Sequence, residues 1–206
     1  MSIFKQFLAH PVLTGAIAAS SPVLARAMTS ELRLGEARTV VELGPGTGAF
    51  TEAVLDRLPS HGRLVAVEIN SHLVKELQRR FRGRPVEIVH ASAADLADLV
   101  DAPVDAVVSG LPWTVMPHRT SRAVLDAVVD VLSPTGRFTT FAYLHAAWTP
   151  PAHRFTRDLR RRFAVVRPSA PVWRNLPPAF VHHATAPLKA CPAPSEGAAI
   201  VRRSPR

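Results

Sequence analysis

Three glycines at alternate positions follow an apolar run that ends beside a carboxylate: Val40-Val41-Glu42-Leu43-Gly44-Pro45-Gly46-Thr47-Gly48. Glycine lets a backbone take positive φ and approach a ligand without a Cβ clash. A strand, a glycine turn and a helix N-terminus together make a nucleotide cradle. A pyrophosphate fingerprint needs G-x-G-x-x-G, whereas this turn reads G-x-G-x-G with Glu42 beside it. A carboxylate there repels a pyrophosphate. It attracts the ammonium and sulfonium of S-adenosylmethionine, directly or through water. Leu64-Val65-Ala66-Val67 is a second short apolar run, and it ends in Glu68, twenty positions after Gly48. An acidic residue at the tip of a second strand accepts both ribose hydroxyls.

Elements that position these residues follow from hydrophobic period and turn chemistry. Strands are expected at 39–43, 63–68, 86–90, 104–109 and 136–142, and helices at 48–58, 71–81, about 93–100 and 120–132. This alternation predicts a parallel sheet covered on both faces. Ser133-Pro134-Thr135-Gly136 reads as a turn. A helix near 152–162 precedes two strands, near 163–172 and 178–187, expected to close the sheet edge as an antiparallel hairpin. Ser21-Pro22 starts an earlier helix, with Leu24, Met28 and Leu32 on one face and Gly35 as its stop. Ser2 to Ala9 reads as a short helix with Ile3, Phe4, Phe7 and Leu8 on one side, suited to a bilayer surface or to packing on the domain.

The 206 residues predict one domain, and 47% hydrophobic residues suffice for a core. A single cysteine, Cys191, leaves no internal disulfide and fits a reducing cytosol. No apolar stretch approaches the ~20 residues of a spanning helix, and no signal-peptide pattern opens the chain. The net charge is +9, with arginines concentrated at 79–84 and 154–167. Such a surface attracts polyanions, either nucleic acid or anionic lipid headgroups, or serves only as a solvated face. Tyr143 and His145 end the fifth strand, where either can relay a proton. His182 and His183 make a poor metal pair, because strand neighbours face opposite sides and no cysteine or carboxylate cluster completes a site.

With these pieces the chain resembles a Rossmann-like class I S-adenosylmethionine-dependent methyltransferase. The resemblance implies an α/β fold with a seven-stranded, mostly parallel sheet, an antiparallel edge hairpin and helices on both faces. Two motifs narrow it: Ser109-Gly110-Leu111-Pro112-Trp113 after the fourth strand, and Trp173-Arg174-Asn175-Leu176-Pro177-Pro178-Ala179 before the last. Together with Gly15-Ala16 and Ser20-Ser21-Pro22, they make residues 4–185 similar to bacterial phospholipid N-methyltransferases of the PmtA type. These convert phosphatidylethanolamine stepwise to phosphatidylcholine.

The resemblance implies that Glu42, Gly44, Pro45, Gly46, Thr47 and Gly48 hold the methionine end of the cofactor. Glu68 and Ile69 go to ribose and adenine, and Ser92 and Ala93 stand where the family carries an adenine-contacting Asp. Ser109, Leu111, Trp113 and Tyr143 become the catalytic candidates, with the Leu111 carbonyl accepting the amine proton and Trp113 holding the cationic head. Arg174 and Asn175, with Trp113, become the substrate-binding candidates, the guanidinium matching the lipid phosphate. The implied domains are N-terminal helices at 1–35 (membrane contact and cofactor lid), a core at 36–187 and a disordered basic tail at 188–206. The implied partners are an amino phospholipid and an anionic membrane, at the inner face of which a cytoplasmic enzyme would sit peripherally. The rRNA adenine dimethyltransferases are similar too, with N-L-P-Y at the turn where this chain has Ser109 in place of Asn. Nucleic-acid methylation is therefore the runner-up. A non-catalytic S-adenosylmethionine-binding protein is the third reading, supported by Ser92. Oligomeric state is not legible.

Overall fold

The computed structural model describes residues 20–189. The expected helix at 2–9 and nearly all of the basic tail lie outside them. Seven strands form one sheet: β1 (Thr39–Leu43), β2 (Arg63–Glu68), β3 (Val86–His90), β4 (Val104–Ser109), β5 (Leu132–Tyr143), β6 (Phe163–Pro168) and β7 (Ala179–Pro187). Their order is β3-β2-β1-β4-β5-β7-β6. The first five strands pair in parallel, while β7 runs antiparallel to both β5 and β6. The fold is therefore the expected α/β one, with the late hairpin at the edge and β7 inserted beside β5. Chain order reverses at β1, between β2 and β4, and ligands of such sheets bind outside the carboxyl ends of the strands at that point.

Period-2 alternation splits the core into two layers. Val41, Leu43, Val65, Val67 and Val107 face α5 (His118–Val131) and α6 (Pro150–Arg160). Val40, Leu64, Ala106 and Val108 face α1 (Pro22–Thr29), α2 (Ala49–Leu55) and α3 (Ser71–Arg80). Every β1 residue is buried, as a strand covered on both faces requires. Each fully buried Val or Leu contributes about 1.5–3 kcal/mol, so these layers hold the strand tips rigid.

Helix starts obey cap chemistry. Ser21 accepts the Leu24 N–H at 3.1 Å, with Pro22 in the first turn. Asn70 caps α3, and Thr149 followed by two prolines caps α6. Several boundaries differ from expectation. Helix α1 ends at Thr29, and Gly35 falls in a separate 3₁₀ turn, Leu34–Glu36. The helix expected at 93–100 is a 3₁₀ turn, Ala93–Asp95, followed by α4, Leu96–Leu99. Ser133 to Gly136 is absorbed into β5, where the pairing with β4 shifts register between Val104 and Ala106. Strand β6 stops at Pro168, short of 172, although Ser169 N–H still reaches the Val181 carbonyl at 2.8 Å and Val172 bridges to Ala179.

Part of the first arginine run is committed to structure. Arg80 pairs with Glu52 at 3.0 Å, and Arg84 reaches Glu52 and Asp56. These ion pairs tie α3 to α2 and remove two cations from the surface expected to meet a polyanion.

Candidate active site

Gly44, Gly46 and Gly48 all take positive φ, at 68°, 58° and 88°. This conformation explains the alternate spacing, since a Cβ is strained at each of the three. The turn is pinned by Gly44 N–H to the Val67 carbonyl at 2.9 Å and Gly48 N–H to the Pro45 carbonyl at 2.9 Å. Gly46 N–H reaches Glu68 Oε2 at 3.3 Å, while Glu68 Oε1 accepts from Asn70 N–H at 2.9 Å. The tip of β2 and the glycine turn thus share one carboxylate. Burial pushes the Glu68 carboxyl up, against the backbone donors from Asn70 and Gly46 that lower it.

Glu42 lies beneath the turn, fully buried. Its Oε2 accepts from the Thr51 hydroxyl at 2.7 Å, and its Oε1 has no hydrogen-bond partner. Burial is the main cause of a carboxyl pushed up to about 8, with the Glu68 charge adding to it and Thr51 opposing. An orphaned buried oxygen beside a glycine cradle suits a cation or a bridging water. The donor set therefore fits S-adenosylmethionine.

A cleft of about 970 Å³ opens along the carboxyl ends of the strands. One half is walled by the glycine turn, Glu68, Ile69, Ser92 and Ala93. The Ser92 hydroxyl caps the following turn, accepting from Ala94 N–H at 3.2 Å, which leaves its O–H to donate. The other half is walled by Leu111, Met116, Phe141, Tyr143, Phe155 and Phe180, among others. Apart from Glu68, no Asp, Glu, Lys or Arg among the described residues lines the cleft.

The structure reassigns three of the expected side chains. Ser109 is fully buried and its hydroxyl accepts from Leu111 N–H at 3.3 Å, so it shapes the turn without reaching the cleft. Trp113 touches the cleft wall but is 5% exposed. Its ring stacks on Phe155 at 4.8 Å and its Nε1–H donates to the Thr140 hydroxyl at 2.8 Å. It is a core residue and no open platform for a cation. Asn175 is buried, accepts from Ser21 N–H at 3.0 Å and donates to the Pro177 carbonyl at 2.7 Å. Both ends of its amide are engaged and it is buried, so it joins α1 to the last loop and does not present itself to a phosphate. Asn175→Ala should cost about 1–3 kcal/mol, the range for orphaning buried partners, read as a lower thermal midpoint. An unchanged midpoint would refute that role.

Arg174 is exposed and stands outside the cleft lining. Leu111 keeps its place in the cleft. Its carbonyl accepts from Trp113 N–H at 3.0 Å, and a second lone pair remains. Tyr143 stacks on His145 at 5.7 Å, and burial raises its phenol. His182 also faces the cleft, which motif reading missed. It is 5% exposed, packs edge-on against Phe155 and Phe180, and has a partnerless Nδ1. Burial, with Arg160 and His183 nearby, lowers it to about 4, so the imidazole is neutral at pH 7. His183 points the other way, toward Glu31 at 3.9 Å. The only signal for this apolar half was alternation on β5 and β7, Phe141 with Tyr143 and Phe180 with His182.

A methyltransferase domain family matches residues 40–136. The chain is 31% identical over 179 residues to the ornithine lipid N-methyltransferase of Singulisphaera acidiphila, covering 84% of this chain and 89% of that protein. It is 41% identical over 97 residues to ribosomal RNA small subunit methyltransferase A of Geobacter metallireducens, covering 44% of this chain and 32% of that protein. The S-adenosylmethionine-dependent O-methyltransferase of Thermotoga maritima superposes with a TM-score of 0.65 at 17% identity, over 90% of this chain and 72% of that one. Sheet order and cradle define a class I methyltransferase with S-adenosylmethionine as its cofactor. Within that class, the chain belongs to the family of the ornithine lipid N-methyltransferase.

Proposed function

We propose that this N-methyltransferase modifies the amino group of a membrane lipid headgroup while resting on an anionic bilayer. The observation that carries the reading is the acceptor half of the cleft: aromatic, aliphatic and proline-walled, with no lysine or arginine among the described residues. Such walls suit the glycerol and acyl end of a lipid. A polynucleotide would bring phosphates that need basic partners beside the reacting base. The relative named for ornithine lipid covers most of this chain, whereas the rRNA enzyme matches less than half of it. No helix of the described residues is long and apolar enough to cross a membrane. In this reading the enzyme meets its lipid peripherally, at the inner face.

Bound in the cradle, S-adenosylmethionine supplies a methyl group that an amine lone pair takes up in line as the carbon–sulfur bond breaks. The protein must present that amine neutral and oriented. A free primary ammonium titrates near ~10.4, and an apolar cleft disfavours the charged form. The Leu111 carbonyl holds an amine hydrogen through its free lone pair. Neutral His182 adds no positive charge to the pocket, and it offers an uncharged ring to the headgroup. Orientation of this kind supplies about 7–11 kcal/mol of the barrier. Phosphatidylethanolamine and ornithine lipid both carry an amine and an anion, phosphate in one and carboxylate in the other. Arg174 at the mouth can pair with either. Mass spectrometry of each lipid after incubation with the methyl donor distinguishes them. Increments of one methyl mass on at least one lipid are expected, and no increment on either would overturn the reading.

A further inference from the structure

Seven large hydrophobic side chains are exposed among the described residues, and five of them lie along the edge where the cleft opens. Trp148 is 81% exposed, Leu176 81%, Trp173 69%, Ile69 47% and Val115 43%. Val115 and Ile69 line the cleft itself. Trp148 sits between two lining residues, Ala147 and Thr149, and Leu176 directly precedes a third, Pro177. Hydrogen bonds hold these loops together. Leu144 N–H donates to the Pro178 carbonyl at 2.8 Å, and Val172 N–H to the Ala179 carbonyl at 2.6 Å. Ala179 in turn pairs with Tyr143 at the end of β5. The loops after β4 and β5 and the loop before β7 therefore end at one mouth.

The segments that carry these loops hold an excess of arginine, and the acids just beyond them, Asp126 and Asp158, are taken by Arg162 and His118. Segments 110–125, 141–157 and 169–180 contain Arg119, Arg122, Arg154, Arg157 and Arg174 and no Asp or Glu. All five arginines are exposed. Arg80, Arg84 and Arg162 are held in ion pairs elsewhere, but none of these five has a carboxylate within ion-pair distance among the described residues. The nearest buried acid, Asp158, is occupied by His118 at 2.7 Å.

We propose that Trp148, Trp173, Leu176 and Val115 form a rim that inserts into an anionic bilayer and seats the cleft mouth on it. A substrate lipid then slides headgroup-first into the cleft with its chains still in the membrane. This rests on the lipid reading above and names the surface that reading needs. Two indole rings at this height match the headgroup level, where amphipathic aromatic rings settle. Arg174, beside Trp173, and the unpaired arginines of the neighbouring helices meet anionic headgroups, an attraction that salt screens. A soluble face has no use for two tryptophans this exposed, since large apolar patches on monomers mark interaction sites.

The three tryptophans make the test direct, because Trp113 is buried and reports nothing new on binding. Full-length protein is mixed with phosphatidylcholine vesicles, with and without phosphatidylglycerol. Its emission should move to shorter wavelength on the anionic vesicles. The Trp148→Phe/Trp173→Phe variant should show no shift. The Trp148→Ala/Trp173→Ala/Leu176→Ser variant changes only exposed side chains, so it should fold and bind S-adenosylmethionine as before. Its sedimentation with anionic vesicles should fall about tenfold or more, from the apolar area lost. It should still methylate a short-chain amino lipid in micelles. Unchanged emission on anionic vesicles, or equal sedimentation of the triple variant, would overturn the rim. A dimer that the triple variant dissolves, with no vesicle binding by either protein, would assign the rim to a second copy and overturn it as well. Vesicle binding that depends on the rim, without methylation of any lipid, would uphold the rim and reject the substrate.

Discussion

Replacing Gly110 with alanine is expected to lower methyl transfer about a hundredfold, since misplacing reacting groups by an ångström costs that much. A Cβ on Gly110 would stand 2.5 Å from the backbone oxygen of Gly44. Neither side can yield easily. Gly110 N–H is bound to the Leu43 carbonyl at 2.8 Å, and Gly44 N–H to the Val67 carbonyl at 2.9 Å. The clash therefore separates the tips of β1 and β4, one carrying the glycine turn and the other the Gly110–Trp113 loop. Overpacking of this kind costs about 1–3 kcal/mol of stability. Gly35 gives the control, because a Cβ there meets nothing within 4 Å. Gly35→Ala should leave both stability and rate near wild type. A Gly110→Ala enzyme with a wild-type kcat/KM would show that the two tips need not be in register.

Cofactor binding is expected to release a proton from Glu42. The carboxyl is raised from 4.5 to about 8, so it is mostly protonated at pH 7 without the cofactor. A cation brought beside it favours the carboxylate. Affinity for S-adenosylmethionine should then tighten with pH, at most about tenfold per unit, until pH 8. Stability of the cofactor-free protein moves the opposite way. A raised folded pKa contributes stability that is full below the unfolded value and lost as pH rises through the folded one. Between pH 6.5 and 8 the loss should be about 2 kcal/mol. His182, lowered from 6.5 to about 4, has the reverse sign. Its contribution is full above pH 6.5 and lost as pH falls through 4, so it leaves the alkaline window to Glu42. Glu42→Gln should flatten the alkaline loss, reduce proton release and weaken cofactor binding by about 1–3 kcal/mol. Calorimetry in two buffers of different ionisation enthalpy reads the proton directly. Identical enthalpies for the wild-type protein in both buffers would contradict this account of Glu42.

The cradle was legible because its parts are local. A positive-φ turn needs glycine at each of three positions, and the Glu68 carboxylate needs only the strand before it. The parallel sheet was legible for the same reason, each strand and helix carrying its own period. The acceptor half was not, since Phe141, Phe155 and Phe180 reach it from β5, α6 and β7. Two side chains with apparent chemistry proved to be structural because their partners are remote. Asn175 bonds Ser21 across 154 positions, and Trp113 bonds Thr140 across 27. Neither partner can be inferred from the motif that contains the residue. Ser133 to Gly136 has turn composition, yet β4 draws it into β5 through a shifted register.

The central claim is that the methyl group ends on a lipid amine. Purified protein should be incubated with S-adenosylmethionine labelled in its methyl group, in the presence of anionic vesicles carrying phosphatidylethanolamine or ornithine lipid, together with ribosomal RNA. Organic extraction then separates lipid from nucleic acid in one step. The expected result is label in the organic phase on an amine-bearing lipid, about a hundredfold lower in the Gly110→Ala enzyme. Label that stays with the RNA, with none in the lipid, would contradict it.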